Sequence, residues 1–176
     1  MKAKRIVTFA IGVVALFGMF FGKALAASPA TDTFQVQATV NAICVVSAAD
    51  LTFSTPYDGG AGADNDSGQA NISVNCTKNA PYTVALNIGT VAGTSFAPRL
   101  MSNGTDTMQY NLYTTAGRTV VWGDGTGATA TVGGTGQGLG GPQVQTHTVF
   151  GRIFQGQATL SVGTYTEPTI TVTVSY

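Results

Sequence analysis

Charged side chains are scarce in this chain. Its 176 residues include 8 Lys and Arg and 8 Asp and Glu, so the formal net charge is zero. Four of the basic residues lie in the first 26 positions and all the acids lie beyond them, which leaves residues 27–176 with a net charge of 4 − 8 = −4. A nucleic-acid-binding protein needs a basic surface to neutralise phosphates. The sequence carries no such footprint.

Histidine and cysteine are also rare, with one His and two Cys. His147, Cys44 and Cys76 do not supply the four ligands of a structural zinc site, and the cysteines form no C-x-x-C redox motif. Neither a second His nor a Ser motif accompanies His147 to suggest a catalytic triad. We therefore expect no catalytic residue, no metal and no cofactor, and we interpret His147 as a structural or surface residue.

The longest apolar run lies at the N-terminus. Lys2, Lys4 and Arg5 precede the apolar residues 6–21, and a small-x-small cleavage site follows at 24–26. This pattern predicts a secretory signal peptide at residues 1–26. The alternative is an uncleaved membrane anchor, but 16 apolar residues fall short of the roughly 20 that span a bilayer. The 150 residues that remain after cleavage suit one domain with a single core.

Export changes the expectation for the two cysteines. An exported chain with an even number of cysteines is expected to join them, because disulfides persist in oxidising compartments. We therefore predict a disulfide between Cys44 and Cys76. In the chain-entropy model, closing a loop of this length stabilises the fold by roughly 3 to 4 kcal/mol.

A helical period is missing as well. No stretch repeats its apolar residues every 3.6 positions, whereas several alternate apolar and polar residues with period two, as strands do. The sequence predicts an all-β domain, and short strands at this spacing are typical of an immunoglobulin-like β-sandwich. The predicted strands are 34–40, 43–46, 69–76, 82–88, 107–114, 118–122, 143–154 and 165–176. Alternation predicts a core of Ile72, Val74, Cys76, Val84, Leu86, Ile88, Met108, Tyr110 and Leu112, to which we add Trp122 and the packing residue Tyr57.

The two ends of the exported chain carry clear amphipathic strands. At the N-terminal end, Phe34, Val36, Ala38 and Val40 share one face, and a phase break at residues 41–42 sets this segment off from the rest. At the C-terminal end, apolar residues alternate with hydroxyl side chains, but no hairpin partner follows. The sequence thus leaves open which strand lies beside the last one. The apolar face of that strand comprises Ile170, Val172, Val174 and Tyr176.

Several segments together point to one family. They are "TFQVQATVNAICVV" and "NISVNCT", each with a cysteine, then "PYTVALNIG", "MQYNLYTTAGRTVVWGDG", "VFGRIFQGQ" and the terminal "VGTYTEPTITVTVSY". In these segments the whole exported chain resembles the spore coat protein U domain family, which includes subunits of archaic (Csu-type) chaperone-usher pili. The Gly-rich loop 123–141 departs from the family pattern, so its structure is not predicted.

The resemblance implies an incomplete immunoglobulin-like β-sandwich that is completed by a donor strand from another subunit. Residues 27–41 would be the donor-strand extension and 42–176 the pilin domain. Phe34, Val36, Ala38 and Val40 would then enter the groove of a neighbouring subunit, beside its last strand. Pattern alone leaves a second interpretation open, in which 34–40 is an ordinary first strand of its own sheet.

The resemblance also implies partners and a location. The partners are a periplasmic pilus chaperone, an outer-membrane usher and other pilus subunits. The location is a fimbrium at the cell surface, reached through the periplasm, with a role in surface attachment and biofilm formation. A secreted ligand-binding adhesin or carbohydrate-binding module is the alternative function. A hydrolase is disfavoured, because no paired acids or activated nucleophile stand at usable spacing.

Two further motifs favour structural interpretations. The stretch Gly136–Gly141 matches G-x-G-x-x-G, but no helical pattern follows it, as a dinucleotide site requires. The stretch Asp64–Gly68 resembles the start of a calcium loop, but its third ligand position is a glycine and no Glu closes the loop. We predict a polar hairpin tip there.

Overall fold

The computed structural model describes residues 28–176 of the chain. The predicted signal peptide lies outside the described residues. The contacts within the chain divide it into two units, residues 1–38 and 39–176. In the described part of the first unit, residues 28–38, no strand or helix forms. No helix in residues 28–176 is long and apolar enough to cross a membrane.

The second unit is built from strands that form two sheets, as the sequence predicts. A short 3₁₀ helix, Gly141–Gln143, is the one helical element among the described residues. The strands are β1 (Cys44–Ala48), β2 (Thr52–Phe53), β3 (Asn65–Cys76), β4 (Pro81–Leu86), β5 (Arg99–Ser102), β6 (Thr107–Tyr113), β7 (Val121–Trp122), β8 (Thr129–Ala130), β9 (Val132–Thr135), β10 (Gln145–Ile153) and β11 (Val172–Ser175).

The larger sheet has the order β1-β3-β10-β6-β7-β8, with β2 beside β3 and β5 beside β6. Its pairs are antiparallel except for β7 and β8, which run parallel. The smaller sheet has the order β11-β4-β9 and is antiparallel throughout. The alternation of apolar residues in β3, β4 and β6 explains this arrangement, because each of these strands has one face to bury.

The inner faces of the two sheets share one core. Trp122 is fully buried and its indole Nε1 donates to the Val84 carbonyl oxygen at 3.0 Å, which confirms its assignment to the core. Ile88 is exposed, contrary to prediction, because β4 ends at Leu86. The other predicted core residues are buried, and Tyr57 packs against them. The core comprises Ile72, Val74, Cys76, Ala80, Tyr82, Val84, Leu86, Met101, Met108, Tyr110, Leu112, Trp122, Val149 and Ile153.

One arginine is buried within this apolar core. Arg99 donates from Nη1 to Asn111 Oδ1 at 2.7 Å, from Nη2 to the Trp122 carbonyl oxygen at 2.7 Å, and from Nε and Nη2 to the Asn87 carbonyl oxygen at 3.1 and 2.8 Å. Its guanidinium also lies 5.0 Å from the ring centre of Phe96. Burial lowers the pKa of Arg99 to about 10, so the group stays charged at neutral pH. Arg99 thereby ties the end of β4 to β6 and β7.

The disulfide between Cys44 and Cys76 is present and joins residues that lie opposite each other in the β1–β3 pair. Because Cys44 is the first residue of β1 and Cys76 the last of β3, the bond fixes one end of the sandwich. We call this end the cysteine end.

The stretch Asp64–Gly68 is not a hairpin tip, and that prediction is wrong. Asn65 already begins β3, which is longer than the sequence pattern indicates. Asp66 accepts from Arg152 Nε at 2.7 Å and from Nη2 at 2.8 Å, and this pair holds the pKa of Asp66 below its usual range. An ion pair at an exposed position adds little stability, but it aligns the start of β3 with β10.

Candidate functional site: an open groove between the sheets

A groove with a volume of about 1250 Å³ opens between the two sheets. Ala48 at the end of β1, strand β2 and the segment that joins them form one wall, and residues 160–170 with Val172 form the other. The floor is apolar. The core side chains that reach it are Ile72, Leu86, Met101, Met108, Leu112, Val149, Ile153 and Tyr110, whose buried hydroxyl has no hydrogen-bond partner.

Each wall of the groove includes a strand with one unpaired edge. Among residues 28–176, β1 pairs only with β3 and β11 pairs only with β4. These two strands are therefore the edges of different sheets, and they face each other across the groove. An edge strand offers a row of backbone donors and acceptors that an additional strand can bind.

Hydrogen bonds of β11 show which backbone groups are available. The N–H of Asn87 donates to the carbonyl oxygen of Thr171 at 3.1 Å. Because successive residues of an antiparallel strand direct their backbone groups to opposite sides, Thr173 and Ser175 also face β4. The N–H and C=O groups of Val172 and Val174 consequently point to the open edge.

The backbone groups of β1 alternate between two sides in the same way. Thr77 N–H donates to the Ile43 carbonyl oxygen at 2.9 Å, and Ala49 N–H donates to the Asn71 carbonyl oxygen at 3.0 Å. The backbone groups of odd-numbered residues of this strand therefore face β3, and those of Val46 and Ala48 point to its open edge. Ala48 also lines the groove. Sequence reasoning missed this second wall. The alternation of Cys44, Val46 and Ala48 is the signal that could have found it.

Two glycines shape the floor of the groove beside β2. A Cβ on Gly68 would lie 2.7 Å from Phe53 Cε1, and a Cβ on Gly151 would lie 3.0 Å from Leu51 Cδ2. Leu51 and Phe53 therefore cover the sheet only because these positions lack side chains. The next inward-facing position of β3 is also small, Ala70, and it lines the groove.

Two carboxylates hold the wall formed by residues 160–172. Asp106 accepts hydrogen bonds from the N–H of Ser161 at 2.8 Å and from the Ser161 hydroxyl, and these bonds hold the pKa of Asp106 below its usual range. Glu167 accepts from Thr90 N–H at 2.9 Å and from the Thr90 hydroxyl at 2.7 Å. Burial opposes ionisation of Glu167, but hydrogen bonds lower its pKa overall. We call the end of the groove beside Asp106 the aspartate end.

The predicted apolar face of the last strand lies partly in the groove. Ile170, Val172 and Val174 are half-buried and pack against the core. Tyr176 is 60% exposed. The strand itself is shorter than the predicted range 165–176, because β11 begins only at Val172 and residues before it form one isolated bridge, from Thr166 to Ser102.

Every residue of the N-terminal segment 28–43 is exposed. Residues 28–43 form no strand, so the interpretation of 34–40 as an ordinary first strand of its own sheet does not match the structure. Phe34 is 88% exposed, Val36 and Val40 are each 82% exposed, and Ala38 is exposed as well. Large apolar side chains are rarely left so exposed on a monomer without a partner to bury them.

His147 lies in β10, where its Nε2 is 2.8 Å from the hydroxyl of Tyr82 on the other sheet. That hydroxyl also donates to Gln145 Oε1 at 2.7 Å. Burial lowers the pKa of His147. The contact joins the sheets near the cysteine end. Among residues 28–176 there is no group of three or more His, Cys, Asp and Glu that could hold a metal ion.

A solved structure has a similar fold. The chain is similar to a chain of the CsuC–CsuE chaperone–tip adhesion subunit pre-assembly complex from the archaic chaperone-usher Csu pili of Acinetobacter baumannii, with a TM-score of 0.52 and 23% identity. The match covers 78% of this chain and 40% of the other, so this chain corresponds to less than half of that protein.

No curated protein matches the sequence. The family model of the Spore Coat Protein U domain matches residues 30–173. This range includes both cysteines, both walls of the groove and the exposed N-terminal segment. The chain therefore belongs to the Spore Coat Protein U domain family.

Proposed function

We propose that this chain is a structural subunit of a chaperone-usher pilus, not an enzyme, and that it polymerises by donor-strand exchange. Its partners are a periplasmic chaperone, an outer-membrane usher and other pilus subunits. It is exported through the periplasm to the cell surface, where the fimbrium supports attachment and biofilm formation. The observation that carries this proposal is the groove with an apolar floor between β1 and β11, each of which has one unpaired edge.

The occupant of such a groove is an extended strand. Val172 and Val174 on one wall, and Val46 and Ala48 on the other, offer backbone groups to it. Binding by an added strand draws its affinity from main-chain hydrogen bonds and its specificity from alternate side chains. A donor strand would therefore complete the sandwich by joining both sheet edges.

Residues 34–40 have the pattern that this site requires. Phe34, Val36, Ala38 and Val40 would face the groove, and the polar residues between them would face solvent. Burying the four apolar side chains contributes on the order of 5 to 10 kcal/mol. We infer that the donor acts in trans, so that each subunit fills the groove of another. Contacts of this head-to-tail type do not close, so they build a filament.

A periplasmic chaperone follows from the same geometry. Before assembly, the groove exposes apolar side chains and two strand edges, and such surfaces aggregate. A chaperone that lends a strand would protect them. The similarity to a chain of a chaperone–subunit complex supports this part of the proposal.

A graft tests the proposed function. Residues 31–42 are repeated after Tyr176 behind a four-residue flexible linker, so that the added strand can run antiparallel to β11 in the same molecule. We expect a soluble monomer that unfolds at a markedly higher temperature than the ungrafted chain. The matched control repeats the graft with Val36→Asp and Ala38→Asp, which should give no gain. A graft that leaves thermal stability and solubility unchanged contradicts the proposal.

A further inference from the structure

A group of four exposed apolar residues lies on the outer face of the larger sheet. Val45 pairs with Asn75 in the β1–β3 register, and Val144 directly precedes Gln145, which pairs with Val74. Val45 on β1, Asn75 on β3 and Val144 just before β10 therefore lie in one row, and neighbouring strands are spaced about 4.8 Å apart.

Ile43 and Leu139 extend this row at the cysteine end. The Ile43 carbonyl accepts from Thr77 N–H at 2.9 Å, and the carbonyl of Gly140, next to Leu139, accepts from Asn75 Nδ2 at 3.3 Å. Ile43, Val45, Leu139 and Val144 are all among the exposed large hydrophobic residues. We call these four residues the outer patch.

Another exposed apolar residue, Val162, lies at the opposite end of the groove. Val162 is fully exposed and lines the groove at the aspartate end, where Asp106 holds the neighbouring Ser161. Strand β10 runs away from the cysteine end, because its first residue, Gln145, pairs with Val74. Strand β6 runs in the opposite direction, from Thr107 back toward the cysteine end. Asp106, just before β6, therefore lies at the end remote from the disulfide.

The proposed donor strand brings these two surfaces together. β11 runs toward the cysteine end, since Ser175 pairs with Thr83 near the start of β4. Antiparallel pairing is the more stable form, and every pair in the smaller sheet is antiparallel. A donor antiparallel to β11 therefore enters at the cysteine end of the groove, and Val40 reaches its aspartate end.

The chain then leaves the groove over a short span. Ile43 of the donor subunit is three positions after Val40, and an extended chain covers at most about 11 Å over three positions. The cysteine end of the donor subunit must therefore abut the aspartate end of the acceptor. Ile43 of the outer patch then lies within reach of the aspartate end, where Val162 of the acceptor is exposed.

We propose that consecutive copies of this chain make a second, apolar contact in which the outer patch of one copy packs on Val162 of the next. This inference rests on the proposed donor-strand assembly. The contact buries side chains that are exposed in the single subunit, and it limits rotation about residues 41–42. A filament with this contact has stiff joints.

Paired cysteines test the contact in filaments formed by the full exported chain. The double variant Leu139→Cys with Val162→Cys should give a ladder of disulfide-linked multimers on a non-reducing denaturing gel. The matched control, Leu139→Cys with Val120→Cys, should give none, because Val120 is exposed but lies between β6 and β7 and does not line the groove. Reduction should collapse the ladder.

A charge at the contact gives a second measurement. Leu139→Asp should disturb neither the core nor the groove, because this side chain is exposed and does not line the groove. We expect its filaments to release subunits at least about tenfold faster than wild type, as losing the burial of one leucine predicts, whereas Val120→Asp should release them at the wild-type rate. Filaments without a ladder and with unchanged release overturn the second contact but leave donor-strand assembly intact. Absence of filaments from the wild-type chain overturns the proposed function itself.

Discussion

The donor assignment predicts an unusual response to the substitution Val36→Asp. In the single subunit this side chain is 82% exposed, so a carboxylate there should leave the midpoint of thermal unfolding unchanged. In the groove the same carboxylate would meet apolar side chains such as Ile72 and Val172. The variant should therefore fold normally and fail to assemble.

The size of the effect follows from two terms. Losing the burial of a valine side chain costs about 1.5 to 3 kcal/mol, and burying an unpaired polar group costs at least about 2 kcal/mol more. Together they correspond to a loss of affinity of roughly a thousandfold. Gln37→Asp is the matched control, because its side chain would face solvent in the complex and its affinity should change little.

The assay compares synthetic peptides of residues 31–42, with either substitution, for binding to the chain by fluorescence anisotropy. Filament yield and thermal unfolding of the corresponding full-length variants complete the comparison. Equal loss of binding for both variants would show that residues 34–40 do not insert with the proposed face inward. A lower unfolding temperature for Val36→Asp alone would show that this residue packs within its own subunit.

Three further predictions concern the subunit itself. Replacing Cys44 and Cys76 together by Ala should lower the free energy of unfolding by about 3 to 4 kcal/mol, measured by urea denaturation. Arg99→Met leaves two buried backbone carbonyls without donors and should cost about 3 kcal/mol or more, whereas Arg99→Lys, which keeps the charge and part of the bonding, should cost less in the same assay. Because hydrogen bonds lower the pKa of Glu167 from its ordinary value of 4.5, its carboxylate stabilises the fold above that pH, and the contribution is lost as pH falls through the lowered pKa. Wild type should thus exceed Glu167→Gln in stability at pH 7, and a difference that persists at pH 2 would contradict this reasoning.

The sequence predicts the central strands well because their alternation is strict. β3 and β4 bury about every second residue, whereas β6 alternates up to Tyr110 and then buries Asn111 and Tyr113 as well. The segment before β11 is different. Its alternation extends the predicted strand back to residue 165, but Glu167 hydrogen-bonds to residues 90 and 91 and holds this part of the chain away from a regular ladder.

The strands that the sequence does not reveal depend on distant partners. β5 reads Arg-Leu-Met-Ser, and its buried Arg99 is stable only because carbonyl groups from residues 87 and 122 surround it. β8 and β9 lie in the Gly-rich region, where weak alternation gives no local signal. The sequence also predicts part of the groove. The alternating pattern predicts β11, but β1 can be assigned to the opposite wall only when the sheet order is known.

The disulfide has a consequence for how the two walls of the groove behave while no strand occupies it. β1 is covalently tied to β3 at Cys44, whereas β11 is held by four residue pairs with β4 and no covalent link. Local opening of a native protein begins where few interactions must break. Amide hydrogens of β11 should therefore exchange with solvent faster than those of β1. The β1 side of the groove is then rigid and the β11 side is mobile, and an incoming strand would order β11 as it binds.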